Sequence, residues 1–135
     1  MDLSKSMKIS AAGMKAQGLR LRVIAENIAN ADSTAESPGA KPYRRKVVTF
    51  ANTLDRQLGA ELVHVKGITV DKSDFQRRYE PGHPAADEEG YVLISNVNSL
   101  IEMADMREAQ RSYEANLKVV QASRAMLQQT VELLR

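Results

Sequence analysis

The side chains that could do chemistry here are two histidines, seventeen carboxylates and nineteen Lys and Arg residues, and their spacing argues against catalysis. His64 and His83 have no second histidine three or four residues away, the step that sets two imidazoles on one helix face to hold a metal. His83 also sits in Pro81-Gly82-His83-Pro84, which reads as a turn. The carboxylates are spread over helix faces and turns and form no recognisable pair for general acid and base work. There is no GxSxG, P-loop, GxGxxG or HExxH. With no cysteine there is no disulfide, thiolate zinc site or Cys nucleophile. We assign no catalytic residue, no metal ligand and no cofactor, and read the chain as a non-enzyme.

The basic run Lys41, Arg44, Arg45, Lys46, with Tyr43 inside it, could touch phosphates. The formal net charge is only +2 despite a sequence pI near 9.0, so nucleic acid is not expected as a partner. The run reads instead as a solvated strand start, or as an electrostatic contact for the acidic loop Asp87 to Glu89 of another subunit.

The elements that must position these groups follow from periodicity. A chain of 135 residues is normally one domain, and 43% hydrophobic residues exclude full disorder. Aromatics are 4% with no Trp, which suits helix seams better than a large sandwich. In the last third Met106, Tyr113, Val120, Leu127 and Leu134 recur every seven residues. Met103, Leu117 and Val131 interleave with them, and Gln110 and Arg124 are the polar exceptions. No Gly or Pro interrupts residues 99 to 135, so one helix roughly 55 Å long is expected at 1.5 Å per residue. Ser99 with Glu102 reads as a capping box, and Asn98 is the alternative cap.

A matching stripe runs through Met7, Met14, Leu21 and Ile28, with Leu3 and Ile24 interleaved beside Ser10 and Gln17. Met7, Met14, Met103 and Met106 suit a seam that must accept irregular neighbours. Gly13 and Gly18 each cost about 1 kcal/mol in a helix interior, so this helix should form only when packed. Small residues flank both stripes, Ala11, Ala12, Ala16, Ala25 and Ala29 in the first and Ala109, Ala115, Ala122, Ser123 and Ala125 in the second. More than one helix face can therefore be buried.

The expected fold class is mainly α with a small β insertion, the long N- and C-terminal helices pairing as a coiled-coil hairpin. Residues 1 to 31 form the first helix, 32 to 95 a loop and β-rich insertion, and 96 to 135 the second helix. Asp2 or Ser4 caps the first helix. Asn30 ends it in the left-handed conformation, and Asn27 bonds its last carbonyls or a neighbouring chain. Residues 51 to 59 are expected as a short helix. Strands are expected at Tyr43 to Phe50, at Glu61 to Val70 with a bulge at Gly67, at Phe75 to Tyr79 and at Tyr91 to Ser95. No stretch approaches the ~18 apolar residues of a membrane span, and Met1 to Ser10 has no apolar core of a signal peptide, so a soluble chain without a cleaved secretion signal is expected.

Two segments resemble a known family. Asn27-Ile28-Ala29-Asn30-Ala31-Asp32-Ser33 is similar to the N-terminal signature of bacterial flagellar rod, hook and hook-associated proteins. Asn96-Val97-Asn98 through Glu102-Met103, Met106 and Glu108-Ala109-Gln110-Arg111-Ser112-Tyr113-Glu114-Ala115-Asn116 is similar to their C-terminal signature. Pro42-Tyr43-Arg44-Arg45-Lys46 and the stretch from Tyr79-Glu80-Pro81-Gly82-His83-Pro84 to Gly90-Tyr91-Val92 resemble the C-type, proximal-rod branch of the flagellar basal-body rod family. The chain departs from that pattern at Ser37-Pro38-Gly39-Ala40 and at Ser99, where the family often has Pro.

The resemblance implies a structural subunit of the proximal rod, in the basal body where the rod crosses the periplasm. It implies helical polymerisation through the terminal helices into a torque-transmitting shaft, after passage unfolded through the type III export apparatus. The implied partners are other copies of the chain, other rod proteins, the hook-basal body complex protein E and the surrounding ring proteins. The motif positions carried over are Asn27, Ile28, Asn30, Asn96, Asn98, Glu114 and Asn116. The periodicity by itself also admits a soluble coiled-coil adaptor or export chaperone that binds partner helices.

Overall fold

An asparagine and an aspartate start the two long helices of the computed structural model, which describes residues 2–135. Asp2 Oδ1 accepts the Lys5 N–H at 3.1 Å and opens α1, Leu3–Ala29. Asn98 Oδ1 accepts from Leu100 N at 3.1 Å and Ile101 N at 3.4 Å and opens α2, Ser99–Leu133. The Ser99 capping box does not form, because the Glu102 side chain turns away from the helix start into a buried ion pair. The end of α1 also differs from expectation. No non-glycine residue among those described has a positive φ, so Asn30 is not left-handed. It tightens the last turn instead: its N–H is shared between the Glu26 and Asn27 carbonyls, and its Nδ2 donates to Glu26 O at 2.9 Å.

Between the helices lie β1, Lys46–Asp55, β2, Ala60–Val70, β3, Gln76–Tyr79, and β4, Tyr91–Ile94. β1 and β2 form one two-stranded sheet and β3 and β4 another. With helices of 27 and 35 residues, about half the chain is helical, less than a mainly α class suggests. The short helix expected over residues 51–59 is absent. Most of that stretch completes β1, and the rest is a turn in which Asp55 Oδ1 accepts from Gln57 N and Leu58 N. A nine-residue helix is marginal by itself, whereas an eleven-residue strand alongside offers β1 a full ladder. Gly59, at φ 62°, lets the turn close back on Asp55 O at 2.8 Å.

The chain divides into two compact units. One comprises α1 as far as Leu21, Thr49–Gly67 and Arg107–Arg135; the other comprises Arg22–Val48 and Ile68–Met106. In the second unit β3 and β4 pair antiparallel, Gln76 opposite Ile94 and Tyr79 opposite Tyr91. The other edge of β4 is covered by residues 33–35, through Ala35 N to Leu93 O at 3.2 Å and Ser95 N to Ser33 O at 3.0 Å. Ala35, Ala85 and Val92 form a small buried cluster there. The turn-rich segment 80–90 is pinned by Asp87 Oδ1, which accepts from Glu89 N and Tyr91 N, and by Glu80 N to Gly90 O at 2.9 Å. Gly90 has φ 84°. Both features make the Asp87 to Gly90 segment the acidic turn its sequence suggests. Asp87 is held below the usual carboxylate range by the Tyr91 and Glu89 N–H groups and by Arg77.

Candidate assembly site

The second unit is held together by a polar network centred on Asn27 and Arg45. Asn27 projects from the last turn of α1 and uses its whole amide. Its Oδ1 accepts Lys46 N at 2.9 Å and the Tyr43 hydroxyl at 2.8 Å, and its Nδ2 donates to Lys46 O at 2.8 Å and Glu102 Oε2 at 3.1 Å. Its role is thus to copy a strand partner for the start of β1, not to close its own helix. Arg45 Nε donates to Glu102 Oε1, and the same guanidinium approaches Asp105 at 3.5 Å and Asp71 at 3.6 Å. Glu102 is 1% exposed. A buried carboxylate is tolerated only when paired and hydrogen-bonded, and here Arg45 and Asn27 do both.

Asn96 completes the arrangement. Its Oδ1 accepts Arg45 N at 2.7 Å, and its Nδ2 reaches Asp71 O, Ser73 O and Ser73 Oγ. Arg44 donates to the same two carbonyls and lies 4.2 Å above the Phe75 ring. Lys46 pairs with Glu26. Arg44, Arg45 and Lys46 are therefore taken up by contacts inside their own unit and are not free phosphate contacts, while Lys41 at the start of the run is exposed. The acidic loop likewise finds Arg77, at 3.2 Å from Asp87 and 3.5 Å from Glu89. Burial and the nearby Glu26 and Glu102 charges push the Tyr43 phenol up to about 12. Burial works against the Arg45 cation, but the bond to Glu102 and the surrounding carboxylates outweigh it and raise its pKa. The Ser73 N–H and hydroxyl, with Arg45, hold the Asp71 carboxyl below its ordinary value.

This network was not visible in the sequence as a network. The signal was partial: Glu102 and Asp105 stand three apart on one helix face, and a basic run lies elsewhere in the chain. Nothing in spacing alone joins Asp71 or Asn96 to them. The two histidines take structural roles. His83 Nδ1 accepts Ala85 N at 3.0 Å, and His64 Nδ1 lies 3.1 Å from Thr53 Oγ1. Among the described residues no group of three His, Asp or Glu side chains is placed to hold a metal, and no helix is long and apolar enough to cross a membrane.

The apolar stripes are placed unevenly. Ile24 is buried; Leu3, Met7, Met14, Leu21, Ile28, Met106, Tyr113, Leu117 and Val120 are half-buried; Met103, Leu127, Val131 and Leu134 are exposed. The most buried α2 positions are Glu102, Ala109 and Ser123, with half-buried Asn116 completing a seven-residue step of small and polar residues. On α1 the buried residues include Ser10, Ala16, Val23 and Asn27. In the first unit a Cβ added at Gly13 would lie 2.9 Å from Asn116 Nδ2, so this glycine, costly for the helix, leaves room for the Asn116 amide. Asn116 donates to Ser112 O, and Glu114 is exposed. The last turns of α2 carry Met126, Leu127, Val131 and Leu133 in solvent, with Leu134 just past the helix end, the last two at 87% and 83% exposure.

Comparison with known proteins accounts for both ends of the chain. Residues 7–36 match the family described as flagella basal body rod protein, and residues 88–133 match the C-terminal family of flagellar basal body rod FlgEFG proteins. The flagellar basal-body rod protein FlgC of Agrobacterium fabrum is 54% identical over 98% of this chain and 96% of its own length. The FlgC proteins of Bacillus subtilis and Salmonella typhimurium are each 38% identical, over 95% of both chains and 98% of both chains respectively. Relatedness of this extent and evenness makes the chain a member of the flagellar basal-body rod protein FlgC family, structural proteins of the basal-body rod.

Proposed function

We propose that the chain polymerises helically through its terminal helices to form part of the torque-transmitting shaft of the proximal rod. The observation that carries this reading is the uncovered apolar end of α2. From Arg124 to Arg135 every residue is exposed, although Met126, Leu127, Val131, Leu133 and Leu134 lie in that stretch. Each such side chain gains about 1.5–3 kcal/mol on full burial, so covering five of them supplies a driving force that the single chain leaves unused. The seam proposed is Leu3, Met7, Met14, Leu21, Ile24 and Ile28 with Met103, Met106, Tyr113, Leu117, Val120, Leu127, Val131 and Leu134. The terminal helices (residues 1–31 and 96–135) pair as a coiled-coil hairpin in the inner helical layer, and the insertion 32–95 lies outside it. The neighbours are copies of the chain, other rod proteins and the hook-basal body complex protein E, with ring proteins around them, reached after transit through the type III export apparatus. Contacts that wind helically rather than close suit a shaft.

The test is Leu127→Asp, with Leu117→Asp beside it, read as the amount of chain in purified basal bodies and as swimming in soft agar. A charge placed in a buried seam costs several kcal/mol, so both variants should lose rod incorporation and motility. Full motility of Leu127→Asp would overturn the seam. The free chain should also be less helical than the assembled one by circular dichroism.

A further inference from the structure

The turn-rich segment 80–90 is joined to residues 33–35 through one imidazole. Ala85 N donates to His83 Nδ1 at 3.0 Å, so the neutral ring carries its proton on Nε2, which lies 3.4 Å from Thr34 Oγ1. Both ends of that link belong to the core of the second unit. Ala85 is 5% exposed and packs with Ala35 and Val92, and Thr34 bridges Ile94 of β4. The backbone on either side of the ring is tied down, His83 N to Glu80 O and Ala86 N to His83 O, each at 3.0 Å. His83 itself is half-buried, so a proton can reach it from solvent. A second proton binds only at Nδ1, where it would set one N–H against another and leave the Ala85 N–H without an acceptor.

We propose that His83 is a proton-sensitive latch: neutral, it holds the turn 80–90 against residues 33–35; protonated, it releases them and uncovers the Ala35, Ala85 and Val92 cluster. The other titratable side chains on the surrounding elements are Glu80, Asp87, Glu88 and Glu89 on its own turn, Asp32 and Glu36 beside residues 33–35, and Tyr91 on β4. Glu80 is paired with Arg78, and Asp87 and Glu89 with Arg77. Carboxylates ionise near pH ~4 and phenols near pH ~10, whereas imidazole changes charge between about pH 5 and 8, so mild acid acts on the ring. The pull of exposed carboxylates on an imidazolium is screened by salt, and the occupied lone pair at Nδ1 decides the sign. An open turn takes the proton freely, a closed one only by breaking its bond to Ala85. The latch is therefore fully set at neutral pH and is lost as the pH falls through the imidazole range. His64 is not coupled in this way: it is exposed, and its Nδ1 faces the Thr53 hydroxyl, which can either donate or accept.

The test is nuclear magnetic resonance of the free full chain, which keeps it independent of the assembly reading. At about pH 7.5 the ring nitrogen shifts of His83 should be those of the Nε2–H tautomer; the Nδ1–H tautomer would overturn the proposal. As the pH is lowered to about 5.5, the hydrogen-exchange protection factor of the Ala85 amide should fall by about tenfold, with the same midpoint as the His83 ring signals. A ring that titrates while Ala85 stays protected, an Ala85 amide that opens at a different pH, or a ring still neutral at the acid end would overturn it. His83→Asn puts an amide oxygen in the place of Nδ1 and takes up no proton in this range, so its Ala85 protection should not change with pH. An equal fall in the natural and Asn chains would overturn the latch.

Discussion

Replacing Arg45 by Met should damage the protein more than removing Arg45 and Glu102 together. Glu102 is 1% exposed, and without Arg45 its only remaining side-chain donor is Asn27 Nδ2 at 3.1 Å. Breaking a buried pair from one side typically costs about 3–5 kcal/mol. Arg45 is itself 23% exposed, so water reaches the site once the guanidinium is gone, and the lower end, about 3 kcal/mol, is the expected loss. That is a large share of the 5–15 kcal/mol that holds a typical domain folded. In Arg45→Met/Glu102→Leu the uncompensated charge disappears. Asn27 Nδ2 keeps Lys46 O, Asp71 keeps the Ser73 N–H at 2.8 Å, and Asp71 and Asp105 are each 32% exposed, so water reaches both. The double variant should therefore lose only about 1 kcal/mol, recovering about 2. Three of the four tyrosines, Tyr43, Tyr79 and Tyr91, belong to this unit and there is no Trp in the chain, so near-ultraviolet circular dichroism during urea unfolding of a Tyr113→Leu background reports on it directly. Equal losses in the single and double variants, or a loss below about 0.5 kcal/mol in Arg45→Met, would refute the reasoning.

Gly90→Ala should destabilise the same unit by about 1–3 kcal/mol in urea unfolding, because its φ is 84° and a Cβ there would sit 2.9 Å from the Tyr79 ring and 3.1 Å from Pro81. Gly18→Ala meets nothing within 4 Å and should raise the helicity of the free chain, by up to about 1 kcal/mol of helix propensity. Gly13→Ala gains the same propensity but must displace the Asn116 amide, so its far-ultraviolet signal should rise less. The Tyr43 proton is held to about 12 in the folded chain and to about 10 when unfolded. Its contribution is complete below pH ~10 and is lost as the pH rises towards ~12. Urea midpoints should fall across that window in the natural chain and fall less in Tyr43→Phe.

The two helices were legible because their signal is local: a seven-residue apolar step, no internal Gly or Pro over residues 99–135, and a side chain able to cap each start. β3 and β4 were legible for a similar reason, since each is bracketed by turn residues. The far half of β1 was not. Residues 51–59 contain Leu54 and Leu58 at a helical step, and only the long strand β2 beside them decides for a strand. Asn27 and Asn30 do not take the left-handed capping role, because that preference is a property of one residue, while the partners of Asn27 are sixteen, nineteen and seventy-five positions away. Glu102 follows the same rule: three residues after a serine it resembles a cap, and its burial depends on Arg45, fifty-seven positions distant.

Where the chain packs on itself, the deepest positions of its helices include Asn27 and Glu102, whose partners are specific atoms, and the small residues Ser10, Ala16, Ala109 and Ser123 beside Val23 and Ile24. The large apolar side chains at the C-terminal end are distributed the other way, with Leu127, Val131, Leu133 and Leu134 in solvent. A self-sufficient domain would reverse this order, since apolar burial is what offsets the conformational entropy of folding. Fixing geometry with polar groups and leaving the apolar surface uncovered is what the proposed assembly requires of a subunit whose local shape is set before its neighbours arrive. In that proposal the polar contacts decide local geometry and the uncovered apolar area supplies the cohesion. For that reason Arg45→Met and Leu127→Asp should fail in different ways, the first in the free chain and the second only in the assembled rod.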